Sequence, residues 1–223
     1  MTLDSHCSPT MYTRLRILSA FFLGILGAWA CADSPDAAPA ATSPPAEQGA
    51  VAIFAGGCFW CMEQDFEKLP GVVAVESGYT GGRLPNPSYE QVSSGLTGHT
   101  EAVRVIYDPA RLSYAQLLDY FWRQIDPTVK DRQFCDIGPQ YRSGIYWRSE
   151  QERLAAEASR EALLASGRIP AIHTEIAPAG AFWLAESYHQ DYYKKNPIRY
   201  GYYRYACGRD ARIEQVWGAR DPR

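Results

Sequence analysis

Val51-Ala52-Ile53-Phe54-Ala55-Gly56-Gly57-Cys58-Phe59-Trp60-Cys61-Met62-Glu63 is the stretch that decides the fold. It opens with a short unbroken apolar run, the length of one buried strand. Gly56 and Gly57 break the run, and Met62, Phe66 and Leu69 then follow at helical spacing with Glu63, Asp65 and Glu67 between them. Cys58 therefore stands where a strand turns into a helix. Backbone N–H groups without intrahelical partners and the positive end of the helix dipole favour an anion at such a point. A cysteine there leans toward thiolate, the form that attacks electrophiles. The competing reading is a small buried cysteine at a strand end, because free cysteines are among the most buried residues. Flanking aromatics and the second thiol, Cys61, weigh against it.

Downstream, Leu69-Pro70-Gly71 is a turn and residues 72–79 read as a strand. Residues 80–87, rich in Gly and Pro, form a loop that delivers Tyr89. Residues 100–107 alternate as a half-buried strand, with Glu101 on the same face as Val103 and Val105. Ser113 caps a helix running to Phe121 or Trp122. Residues 126–140 are a long polar loop carrying Cys135 and Asp136, and loops of that length in compact domains tend to be functional. A strand over 141–147 follows, then a helix from Ser149 to about Ser166 with Glu152 completing a capping box. A short strand at 174–177, a helix over 186–195 and a tyrosine-rich tail from Tyr200 to Cys207 complete the order. This alternation predicts an α+β two-layer sandwich, a mixed sheet covered by helices in the ferredoxin-like manner. It leaves the strand order open.

The N-terminus reads differently. Arg14 and Arg16 precede an apolar run from Ile17 to Ala30, too short for a confident membrane span. A basic region, an apolar region and small residues at Ala28 and Ala30 describe a secretory signal over 1–31. Gly27-Ala28-Trp29-Ala30-Cys31 is similar to the lipobox of bacterial lipoproteins, which makes Cys31 a candidate lipid anchor; cleavage after Ala30 is the alternative. Residues 32–50, rich in Ala, Pro and Ser, are a flexible linker. The expected product is an exported protein, periplasmic or membrane-anchored. The catalytic domain is expected over 51–210 and a C-terminal tail over 211–223.

The whole chain of 223 residues is 46% hydrophobic and 21% charged, with a net charge of −3, values that suit a folded domain plus an appendage. That balance gives no reason to expect nucleic acid. Lys194, Lys195, Arg199, Arg204, Arg209 and Arg212 are offset by Asp191, Asp210 and Glu214. A zinc site built from Cys58, Cys61, Cys135 and Cys207 matches paired-thiol spacing poorly, so no metal is expected. A disulfide oxidoreductase working through Cys58-x-x-Cys61 is the strongest rival reading.

Six blocks settle the comparison with known families: Gly57-Cys58-Phe59-Trp60, Gly78-Tyr79-Thr80-Gly81-Gly82, Pro85-Asn86-Pro87-Ser88-Tyr89, Gly98-His99-Thr100-Glu101-Ala102-Val103, Gly138-Pro139-Gln140-Tyr141-Arg142-Ser143 and His189-Gln190-Asp191-Tyr192. In that order the chain resembles the A-class peptide methionine sulfoxide reductases from about Val51 to Gly208. The resemblance implies that Cys58 attacks the sulfur of a methionine S-sulfoxide, free or in a protein, and becomes a sulfenic acid. It implies that Glu101 is the acid that protonates the leaving oxygen. Phe59 and Trp60 match the apolar pocket for the ε-methyl group, and Tyr89, Asp136 and Tyr141 match the polar residues that hold the oxygen. Cys207 matches the C-terminal resolving cysteine, which would condense with the sulfenic acid to a disulfide. Cys61 departs from the many members that carry Gly there, and stands as the alternative resolver or a relay; Cys135 is a third partner or a bystander. By the same resemblance the protein is a monomer without a prosthetic cofactor, recharged by thioredoxin or another dithiol.

Overall fold

A computed structural model of the chain describes residues 49–219. The expected signal segment, its Cys31 anchor and the linker as far as residue 48 lie outside the described residues.

The apolar run becomes strand β1, Ala50–Gly56, and the helix after it is α1, Phe59–Glu67. Then come β2 (Val72–Thr80), α2 (Tyr89–Ser93), β3 (Thr100–Tyr107) and α3 (Tyr114–Trp122). A two-stranded hairpin, β4 (Arg132–Gln133) and β5 (Asp136–Ile137), leads through a 3-10 turn at Pro139–Tyr141 into β6, Ser143–Trp147. The remainder is α4 (Glu150–Ala165), β7 (Glu175–Pro178), β8 (Trp183–Leu184), α5 (Tyr192–Lys195), α6 (Pro197–Ala206) and α7 (Arg209–Trp217).

One six-stranded sheet has the order β7-β6-β1-β3-β2-β8. Strand β3 lies antiparallel between β1 and β2, so those two run parallel and α1 crosses between them. Strand β6 is antiparallel to β1, and β7 is parallel to β6 across α4. The sheet is thus mixed and its centre, β6-β1-β3-β2, has the ferredoxin-like order, as expected. The unbroken apolar run of β1 follows from its central place, since a strand covered on both faces has no polar side to show. Ala52 and Phe54 enter the main core, where Phe54 stacks on Phe66 and Phe121 at 5.2 and 4.9 Å. Val51, Ile53 and Ala55 point to a smaller cluster with Ala102 and Tyr146 on the other face.

The register that pairs Phe54 with Val103 brings the C-terminal end of β1 beside Glu101 near the start of β3. Gly57 turns the chain into α1 at φ +80°, and a Cβ there would sit 2.6 Å from the Gln133 side chain. That is why two glycines precede the cysteine.

Several local expectations need correcting. The 126–140 loop contains the β4–β5 hairpin, and Gln133 ties it down by hydrogen bonds to both the N–H and the C=O of Asp126. In the Ser149 cap, the hydroxyl accepts the Glu152 N–H, but the Glu152 carboxylate takes the N–H of Arg148 instead of closing the box. The predicted 186–195 helix shrinks to α5, because Asp191 is left-handed at φ 54° and Gln190 is bonded to the backbone of Ser77. The tyrosine-rich tail is not loose. It forms α6, started by Pro197 at its first position, and α7 crosses the boundary expected between domain and tail at 210 and 211.

Candidate active site

Cys58 is the residue before the first turn of α1, and its carbonyl accepts from the N–H groups of Cys61 and Met62. Two of the amides expected to favour a Cys58 thiolate are already taken. Glu101 accepts the Phe59 N–H at 2.9 Å, and Asp136 accepts the N–H of Cys58. Two carboxyl groups thus occupy the anion site that a helix N-terminus provides.

Burial sets the charge states. Burial holds Glu101 in its acid form, raising it from 4.5 to about 8; the Phe59 N–H opposes this, and negative charge at Asp136 and Cys61 adds to it. Burial also raises Asp136, against the hydrogen bond from the Tyr203 hydroxyl at 2.7 Å. Cys58 and Cys61 are both buried and share a hydrogen bond. Burial pushes the Cys58 thiol well above its usual range, and so do the bond it gives Cys61 and the neighbouring carboxyls. Cys61 is lowered to about 7, first by the hydrogen bond from Cys58 and then, against its own burial, by Arg209 and Arg204. The two thiols therefore share one proton along this hydrogen bond. Burial thus opposes the thiolate expected at Cys58.

A cavity of about 180 Å³ opens at Cys58, lined by Phe59, Trp60, Tyr89, Glu101, Asp136, Tyr141 and Tyr203. Every pocket residue expected from the sequence is in it. One wall is aromatic. Trp60 stacks on Tyr192 with centroids 3.7 Å apart and gives its indole N–H to His189 Nδ1 at 3.0 Å. That bond places the remaining hydrogen of a neutral His189 on Nε2, and burial keeps the ring neutral. The opposite side is polar. Tyr89 and Tyr141 stay protonated, both raised chiefly by burial, so their hydroxyls are available as neutral donors. Glu186 holds this side in place, accepting from the Tyr89 N–H and the Tyr79 hydroxyl, both at 2.8 Å.

Tyr203 is the lining residue that sequence reasoning missed. It lies in the stretch read as a tail. Read as a helix, the same stretch puts Tyr200, Tyr203 and Cys207 on neighbouring turns of one side, and that spacing was the available signal.

The second thiol pair is differently placed. Cys207 is bonded to Cys135, so the expected resolver has a partner other than Cys58 in this structure, and Cys135, read as a third partner or a bystander, is that partner. Cys135 is exposed and Cys207 partly so. Two groups of ligand-type side chains converge, Cys135–Asp136–Cys207 and Glu63–Glu67–Asp191. In the first the sulfurs are bonded to each other, and in the second the Lys194 ammonium already bridges Glu67 and Asp191 at 2.6 and 2.7 Å.

The family model described as "Peptide methionine sulfoxide reductase" matches residues 50–221. Peptide methionine sulfoxide reductase MsrA 2 of Caulobacter vibrioides is 50% identical over 205 residues, covering 92% of this chain and 98% of that protein. Peptide methionine sulfoxide reductase MsrA of Bacillus licheniformis is 48% identical over 176 residues, 78% of this chain and 97% of the relative. Among solved structures, the reduced form of Mxr1 from Saccharomyces cerevisiae superposes with a TM-score of 0.63 at 34% identity, covering 67% of this chain and 86% of that one. Methionine sulfoxide reductase A of Corynebacterium diphtheriae gives 0.61 at 38% identity, over 66% and 75%.

Proposed function

Because the chain belongs to the peptide methionine sulfoxide reductase family and is an oxidoreductase that reduces methionine sulfoxide, we propose a residue-level route for that reaction. Cys58 Sγ bonds to the sulfoxide sulfur while Cys61, the thiolate beside it, takes the Cys58 proton. Glu101, held in its acid form, gives its proton to the oxygen. Collapse releases the thioether and leaves a hydroxyl on Cys58 sulfur, a sulfenic acid. The Cys61 thiol then attacks that sulfur, water leaves, and a Cys58–Cys61 disulfide remains.

The observation that carries this reading is the meeting of Cys58 and an acid-form Glu101 in one small pocket, with the Cys61 thiol hydrogen-bonded to Cys58. Phe59 and Trp60 would receive the methyl group and exclude water, which strengthens the electrostatics at the reacting atoms. Tyr89, Tyr141 and Asp136 would hold the oxygen, with Tyr203 fixing Asp136. Cys61 replaces Cys207 as the first resolver because it already shares a hydrogen bond with Cys58, whereas Cys207 is bonded elsewhere. The reading extends to the S epimer, to free and protein-bound substrate, to recharging by a thioredoxin-type dithiol, and to a monomer exported through residues 1–31, with Cys31 as its lipid anchor.

Turnover of methionine S-sulfoxide with dithiothreitol tests the chemistry. Cys58→Ser should abolish it, and Glu101→Gln should lose more than tenfold, since positioned acids contribute ~10²–10⁴. Wild-type rates in Glu101→Gln would remove Glu101 from the acid role. Freed of dithiothreitol, which would itself reduce a sulfenic acid, pre-reduced Cys61→Ser should stop after one turnover with sulfenic acid accumulating; a Cys58–Cys207 disulfide forming instead would return resolution to Cys207.

A further inference from the structure

We propose that Glu63 is a positioning residue for the apolar wall of the pocket. Through the turn at Asp191 it fixes the Trp60 ring, and so sets how closely the site fits a methyl group rather than a longer alkyl group on the sulfoxide sulfur. This rests on the reading that Phe59 and Trp60 receive the methyl group, and deepens it by adding a residue that touches no substrate.

Glu63 is a carboxyl in a core position. It stands on α1 beside Met62 and one turn before Phe66, both fully buried, and is itself 1% exposed. Its Oε1 accepts the Asp191 N–H at 3.0 Å, while Oε2 is buried without a hydrogen-bond partner among the described residues. A half-partnered carboxyl inside a fold costs free energy that an apolar side chain at the same place would not. The Lys194 ammonium nearby is engaged by Glu67 and Asp191.

What the bond from Asp191 holds is a sharp turn. Asp191 is left-handed, at φ 54° and ψ 30°, a conformation that disfavours residues with a Cβ. The reversal sets the two residues that grip Trp60 on either side of it. His189 Nδ1 accepts the indole N–H at 3.0 Å, and the Tyr192 ring stacks on the indole at 3.7 Å, within 7° of parallel. His189 also packs on Phe59, with centroids 5.0 Å apart. Gln190 ties the same turn to the backbone of Ser77. Trp60 and Glu63 are three residues apart, so they share one side of α1. That side therefore carries both the ring and the carboxyl that holds the ring's partners in place.

Two substrates that differ by one methylene read the fit. First-turnover rates of the pre-reduced whole chain are measured against concentration for the S-sulfoxides of methionine and ethionine. The Trp60 indole N–H is followed by NMR, identified by its loss in Trp60→Phe. The wild type should favour the methyl substrate by about tenfold or more in kcat/KM, as one methylene in an apolar pocket commonly does. Glu63→Leu should bring that ratio close to one, chiefly by raising the half-saturating concentration of methionine sulfoxide, and should shift the Trp60 resonance. Glu63→Gln, whose amide oxygen still accepts the Asp191 N–H, should keep the wild-type ratio and resonance. Where the leucine chain does not fold, Glu63→Asp keeps the charge, falls one methylene short of Asp191, and should give the leucine result. A wild-type ratio in the folded leucine or aspartate chain overturns the role of Glu63 and leaves the pocket reading standing, as does a glutamine chain that loses the ratio. No preference for the methyl substrate in the wild type overturns the pocket reading itself.

Discussion

Glu101 is buried and accepts the Phe59 N–H, and its ionisation there is disfavoured because that one bond does not replace the lost hydration. Its folded value of about 8 against an ordinary 4.5 carries a stability consequence. Between those values the folded chain binds more protons than the unfolded one, so this group's contribution to stability falls as pH rises from about 4.5 through 8. Glu101→Gln keeps an acceptor for Phe59 and cannot ionise. Thermal unfolding should therefore show the variant melting above wild type at pH 8.5, with the difference closing toward pH 5. An equal gap at both pH values would mean that the carboxyl does not titrate there. For the wild type, turnover should decline above about pH 8 as the acid form is lost. The alignment of Glu101 with Val103 was legible from the period-2 pattern, but on spacing alone it reads as a surface charge at a strand end, and only the matching block pointed to the site. The charge state of Glu101 was not legible, because burial depends on what packs over the strand.

At the scale of elements, the join that matters is between α1 and the C-terminal helices. Asp65 is buried on α1 and meets Arg204 at 3.0 Å and Arg209 at 3.6 Å. Arg204 also forks onto Asp210 at 2.7 and 2.8 Å, and Arg209 reaches the carbonyls of Gly56 and Gln124. These charges hold α6 in place, and with it Tyr203 over the pocket. Asp65→Asn leaves the buried Arg209 guanidinium without its counter-charge and Arg204 with Asp210 alone, so it should cost about 3–5 kcal/mol in urea unfolding, the range for breaking a buried pair. A cost below 1 kcal/mol would show that α6 and α7 dock without it. These helices were read as a tail because their inward positions are arginines and tyrosines, which carry no apolar period for a sequence pattern to detect.

Across the whole molecule, Cys135 and Cys207 are 72 residues apart, so their bond closes most of the C-terminal half of the domain. Loop-closure entropy puts the stabilisation at about 4 kcal/mol. Reduction should lower the melting temperature of the wild type and leave the Cys135→Ser/Cys207→Ser variant unmoved, measured by scanning with and without reductant. Glu63 adds to the pH trend: burial raises it from 4.5 to about 7, so its contribution also weakens as pH climbs through that interval.

The sequence by itself determined the local outcomes that depend on near neighbours. These are the doubly buried run of β1, the glycine turn into α1, the Ser113 cap and, through the six matching blocks, the pocket residues other than Tyr203. Such features follow from propensity, period and motif, which act over a few residues. Only the tertiary structure decided that Cys207 joins Cys135, that Tyr203 closes the pocket, and that Cys58 and Cys61 are buried together. Each of those turns on groups brought together from distant parts of the chain, where burial and charge at the meeting point exist only once the chain has folded.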